Sequence, residues 1–218
     1  MKKFKVSEYI TPKEAEIIIQ SCPKERDRLI LRTMWETGGR ISEILSLVPD
    51  DIDQVNNCIY LKTLKQRTIT GVHPLRRTYL FPESILCHDL LLYINENGID
   101  KHDWLFQGKS KTGQVSTTYI WYLLSAQRGS SNSSIKWKRQ DGIVTSLGIR
   151  KMKGEKRKPA WPHLFRHGAA MNIYRRTGRL DVTQHHLGHS SIMTTEGYAE
   201  MTDEDRKRII DSSERESG

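Results

Sequence analysis

The chain has 218 residues, with 35 Lys and Arg against 26 Asp and Glu and a formal net charge of +9, enough chain for one or two domains with a real core and a charge that favours an anionic partner. Its three cysteines, Cys22, Cys58 and Cys87, are odd in number and lack C-x-x-C spacing, so neither a disulfide framework nor a zinc knuckle is indicated. No stretch approaches the roughly 18 apolar residues of a membrane span, and the start lacks the apolar run of a signal peptide, so the expectation is a soluble, cytoplasmic protein.

Thr11-Pro12-Lys13-Glu14 has the form of a helix start, with Thr11 as N-cap, Pro12 at the first position and Glu14 closing a capping box. That helix is predicted to run to about Ser21. A second follows Pro23 with Ile30/Met34 and Leu31/Trp35 on its apolar face, and Gly38-Gly39 ends it, because glycine accepts the left-handed conformation there. Arg40 then stands at a tight turn before a third helix, Ile41 to Leu47. Cys58 to Leu64 and Arg77 to Phe81 read as strands of a hairpin with a basic tip, Gly71 and Pro74 punctuating the stretch between them. Helices are expected from Glu83 to about Glu96, Thr117 to Gln127, Pro162 to Arg176 and Arg179 to Leu187, then a short one ending near Tyr198 and a last one from Asp203 to Ile210. The class is mainly α with a small antiparallel β-sheet.

Residues 127–158 carry a net +8 of the chain's +9. Two readings stay open: a solvated loop, or a segment that tracks phosphates, with Trp137 and Trp161 at its edges adding stacking surface. On the second reading Arg128, Lys136, Lys138, Arg139, Lys156, Arg157 and Lys158 bind DNA.

Two stretches carry chemistry. One is Thr37-Gly-Gly-Arg-Ile-Ser-Glu-Ile-Leu-Ser-Leu47; the other joins His163-Leu-Phe-Arg-His167 to Leu187-Gly-His189 and Tyr198. Phosphoryl transfer between oxygens needs a nucleophile, cations for the charge that develops on the non-bridging oxygens, and an acid for the leaving oxygen. Arginine suits the cation role, since its planar fork grips phosphate and keeps its proton. His163 and Arg166, three apart, share one helix face. Taken singly, each residue also has a bland reading, such as Arg40 merely capping a carboxylate like Glu43, which is expected to orient its neighbours.

Taken together, these blocks resemble the tyrosine recombinase or phage integrase family, whose pattern is G-x-R-x-x-E-x-x-x-L, then H-x-x-R-H, then L-G-H with a tyrosine nine residues after the histidine. The resemblance covers residues 11–203, with 1–10 as an N-terminal extension and 204–218 as a tail. It implies a mainly helical catalytic domain that cleaves and religates double-stranded DNA through a 3′-phosphotyrosine, without metal or cofactor. Arg40 and Arg166 would clamp the scissile phosphate, His163 and His189 would bond to it or assist proton transfer, and Tyr198 would attack. The family's hairpin lysine, the acid toward the 5′-oxygen, falls on Lys62 or Lys65; Leu64-Lys-Gln-Arg67 matches an L-K-x-R variant and favours Lys65.

The implied partners are duplex DNA and further copies of the chain, a tetramer on DNA, in the nucleoid. The i,i+4 pairs His163/His167 and His185/His189 lack the acidic neighbour of H-E-x-x-H, which argues against a metal site. Type IB topoisomerase-like relaxation and a non-cutting DNA-binding regulator are the alternative functions. Most relatives carry a helical DNA-binding domain ahead of the catalytic one, whereas the first helix here begins at Thr11, which is expected of a stand-alone catalytic domain or of a fragment.

Overall fold

The computed structural model describes residues 10–63, 73–110, 112–125, 151–152, 155–156 and 161–188. Helix α1 (Pro12–Gln20) begins as its sequence requires: Thr11 Oγ1 accepts from the Glu14 amide and the Thr11 amide donates to Glu14 Oε2 at 2.8 Å. Helix α2 (Glu25–Thr37) is the hub, packed against α1, α4 (Leu86–Asn97) and α6 (Pro162–Thr177). Its Ile30, Leu31 and Met34 are fully buried, the result of an apolar face repeating at helical period. Gly38 ends it at φ +60°, and a Cβ there would stand 2.5 Å from Leu187 Cδ2. Both the backbone and the close approach therefore demand glycine.

Helix α3 (Ile41–Leu45) stops two residues short of the expected Leu47, because Ser46 Oγ turns back to the Glu43 carbonyl at 2.8 Å. After a 3₁₀ turn (Pro49–Asp51) comes an antiparallel sheet of order β1-β2-β3: Ile52–Asp53, which the sequence did not signal, then Cys58–Lys62 and Leu75–Tyr79. The third strand starts two residues before the expected Arg77 and ends before Phe81. The pairing Lys62↔Leu75 through Cys58↔Tyr79 explains this, since Leu80 is already bonded to the Asn57 carbonyl beyond the strand end. In that register Ile59 and Leu61 of β2 are buried, and so are Arg76 and Thr78 of β3. On the other face Arg77 donates to the Tyr60 and Tyr79 hydroxyls at 2.5 and 3.0 Å and lies over both rings.

Helices α4, α5 (Thr117–Ser125), α6 and α7 (Leu180–Leu187) agree in type and place with the sequence reading. Within the basic segment a short antiparallel pair forms, β4 (Lys151–Met152) with β5 (Glu155–Lys156). The expected helices near Tyr198 and at Asp203–Ile210, the strand end at Leu64 and the helix end at Gln127 lie outside the described residues. Among those described, no helix is long and apolar enough to cross a membrane, and the three cysteines are buried free thiols.

Helix α7 contributes a pH dependence. The His186 Nε2 lies 3.1 Å from the Glu36 carbonyl, and burial, reinforced by Arg76 and Arg166, pulls its pKa down to about 4. An unfolded histidine titrates near 6.5, so between those values the unfolded chain binds the extra proton and stability falls as pH falls. The loss begins near pH 6.5 and is complete near pH 4, at up to about 3 kcal/mol. Urea melts at pH 7 and pH 4.5 should show it, with a smaller pH difference in His186→Gln; an equal difference in both proteins would assign the effect to other groups.

Candidate active site

The tight turn after Gly38 and the start of α6 bring distant parts of the chain to one cleft. Arg40 is the N-cap of α3, His163 is the second residue of α6, and Arg166 follows one turn later. All three line a cleft of ≈ 570 Å³, with Ser42 on one wall and Trp121 and Tyr122 of α5 on another. Those two rings are 46% and 54% exposed, unusual for large aromatics on a helix that otherwise feeds the core. The His163 and His167 rings meet edge to face at 4.4 Å.

Beneath the cleft lies a network of buried charge. Glu43 is fully buried and accepts from the Arg40 amide at 3.0 Å and from Arg40 Nη1 at 2.8 Å. It therefore orients Arg40, in keeping with the role expected of it. Its other partner is Arg76, whose Nη2 lies 3.3 Å from Glu43 Oε2. Arg76 Nη1 also donates to the Leu187 carbonyl at 2.8 Å. Arg166, 2% exposed, donates to that same carbonyl at 2.7 Å and to the Gly38 carbonyl at 2.6 Å. Two of its five N–H groups thus hold backbone, which fixes the plane of the guanidinium at the cleft floor.

Sequence reasoning missed Arg76. Burial draws its pKa below the ordinary arginine value, with Glu43 pulling the other way, yet a guanidinium keeps its proton. The signal that could have found it is strand alternation counted from the correct register, which turns residue 76 inward with Thr78. Gly188, in the Leu-Gly-His block, has a reason the sequence did not supply. Its φ is +63°, and a Cβ there would stand 1.9 Å from Arg76 Nη1.

The other expected site residues fall elsewhere. Lys62 ends β2 with Nζ 3.6 Å from Asp51 Oδ2. Lys65, His189 and Tyr198 lie outside the described residues, as do Arg128, Lys136, Lys138, Arg139, Arg157 and Lys158, and Lys156 is placed only by its backbone in β5.

Comparison with known proteins bears on this arrangement. A protein named resolvase from Escherichia coli is 26% identical over 204 residues, covering 88% of this chain and 73% of its own length. The crystal structure of the XerA recombinase superposes with a TM-score of 0.64 at 21% identity, over 92% of this chain and 64% of that one. The XerH site-specific recombinase, solved bound to its difH substrate in a pre-cleavage complex, gives a TM-score of 0.60 at 21% identity, over 88% of this chain and 50% of that one. The chain therefore spans about half to two thirds of these solved chains, and at such identities the likeness speaks to the fold alone, mostly helical with a small antiparallel sheet. The model of the phage integrase family matches residues 8–205. The chain thus belongs to the phage integrase family, the tyrosine recombinases, enzymes of site-specific recombination.

Proposed function

We propose that this protein is a site-specific DNA recombinase that cuts and rejoins duplex DNA through a covalent 3′-phosphotyrosine on Tyr198. The observation that carries the reading is the convergence of Arg40, His163 and Arg166, from two motif blocks far apart in sequence, on one cleft. The names of the relatives, resolvase and recombinase among them, favour recombination over simple relaxation.

In the first step the Tyr198 Oη attacks the scissile phosphorus as the P–O5′ bond breaks, leaving the phosphate joined to the 3′ strand through tyrosine. The tyrosyl proton passes to a neighbouring base, for which His163 and His189 are the candidates, and Lys65 gives a proton to the departing O5′. Arg40 and Arg166 balance the charge on the non-bridging oxygens. Attack by a 5′-hydroxyl reverses the step and restores the diester, and attack by the hydroxyl of a second duplex exchanges strands. The choice of Lys65 over Lys62 is supported by the hold of Asp51 on Lys62.

Exchange between two duplexes calls for several copies of the chain, and we assign a tetramer. The basic residues Arg128, Lys136, Lys138, Arg139, Lys156, Arg157 and Lys158 supply backbone contacts. Residues 11–203 form the catalytic domain on this reading.

The test is covalent capture. Synthetic duplexes tiled across the DNA flanking the coding sequence, each nicked close to the cleaved bond so that the short 5′ fragment diffuses away, should trap a denaturation-resistant adduct. Peptide mapping should place the nucleotide on Tyr198. An adduct on another residue removes Tyr198 as the nucleophile, and no adduct on any duplex removes the strand-transfer reading.

A further inference from the structure

Resting on that reading, we propose that Arg76 is a positioning residue for strand transfer. Its single guanidinium fixes both the carboxylate that holds Arg40 and the carbonyl that anchors Arg166, two residues ahead of His189.

The argument starts from the strand register. On β3 the residues alternate exposed and buried, and Arg76 takes a buried place that an apolar residue would fill at less cost in desolvation. A buried ion pair is weak evidence for stability, since a well-packed hydrophobic replacement is often as good. The arrangement around Arg76 goes further than an ion pair. One nitrogen meets Glu43 Oε2 at 3.3 Å and the other meets the Leu187 carbonyl at 2.8 Å. Glu43 passes the constraint to Arg40 through its other oxygen at 2.8 Å, and the Leu187 carbonyl passes it to Arg166 at 2.7 Å.

The neighbouring chain is shaped for this side chain too: a Cβ at 188 would fall 1.9 Å from Arg76 Nη1, so a larger residue there would push the guanidinium from its place. Arg76 thus ties the β3 strand, the first arginine of the cleft, the second arginine and the turn at Leu187-Gly188 into one unit. A lysine, with one point of charge, would hold only one of the two acceptors in place.

The test compares Arg76→Met and Arg76→Lys with wild type on a nicked duplex carrying the mapped site. Three quantities are read: thermal melting, DNA affinity by fluorescence anisotropy, and the rate of covalent adduct formation. Arg76→Met should bind DNA within about threefold of wild type yet form adduct about 100-fold more slowly, as misplacement of a reacting group by about an ångström does. Arg76→Lys should recover part of the rate.

The same comparison is then made with a methylphosphonate at the scissile position, where a methyl replaces one non-bridging oxygen and removes the charge that Arg40 and Arg166 balance. If Arg76 works by placing those arginines, the deficit of both variants should shrink to under about tenfold there. A wild-type rate in Arg76→Met, or a deficit equal on the two substrates, overturns the proposal; the second result is what a merely structural role gives. Should Arg76→Met not fold, Arg76→Lys carries the same comparison. If wild type forms no adduct, the strand-transfer reading itself falls, and this inference with it.

Discussion

Arg40→Ala and Arg166→Ala should each slow DNA cleavage by about 100-fold or more, the cost of losing a donor to charge that develops in the transition state, but only Arg166→Ala should also unfold easily. Arg166 is 2% exposed and satisfies the Gly38 and Leu187 carbonyls. Deleting it strands a buried acceptor at Gly38 and leaves a cavity, a loss of about 3 kcal/mol in urea denaturation. Arg40 is one-quarter exposed, and its partner Glu43 keeps Arg76, so Arg40→Ala should cost only about 1 kcal/mol.

Chemistry separates both from the acid. With sulfur in place of the bridging 5′-oxygen the leaving thiolate needs no proton. Lys65→Ala should then cleave nearly as wild type, while the two arginine variants stay slow because the phosphoryl charge remains unbalanced. Rescue of Lys62→Ala instead would move the acid three residues back along the hairpin, and rescue of neither lysine variant would hand the role to a histidine.

Glu43→Ala should be the most destabilising single change around the cleft. Glu43 is fully buried and is the carboxylate on which both Arg40 and Arg76 converge. Removing it leaves the Arg76 guanidinium at 8% exposure with no other ion-pair partner among the described residues, and breaking a buried pair from one side costs about 3–5 kcal/mol. Glu43→Gln keeps an acceptor for one arginine and should lose about half as much. Equilibrium unfolding in urea checks both. A loss under about 1 kcal/mol for the alanine variant would mean that Arg76 can swing to solvent, and that the network does not fix the cleft.

Local signals in the sequence were reliable where the physics is local. Thr11 and Glu14 announce the start of α1 because a capping box involves only four residues, and Gly38 marks the end of α2 because its backbone takes φ +60°. Arg40, His163 and Arg166 were singled out by their resemblance to the family's motif blocks, and the fold brings all three to one cleft. What stayed hidden depends on pairing across the chain. The phase of β3 is set by its partner strand, and a shift of two residues brought in Arg76, which the hydrophobic pattern alone had left outside the strand. The Leu187 carbonyl, on which two arginines meet, belongs to the backbone, so no residue type betrays it.

The shared carbonyl also shapes how this protein can change over generations. Positions 43, 76, 166 and 188 lie on four different elements or turns, yet a substitution at one alters what the others tolerate. A lineage that shortened residue 76 would relieve the crowding at 188 while leaving its left-handed backbone, and would leave Glu43 leaning on Arg40 alone. The side chain of residue 187 lies against Gly38, while its backbone carbonyl takes the two arginines. Drift around this cleft is therefore expected to be epistatic: the same replacement would be tolerated in one ancestral background and destabilising in another.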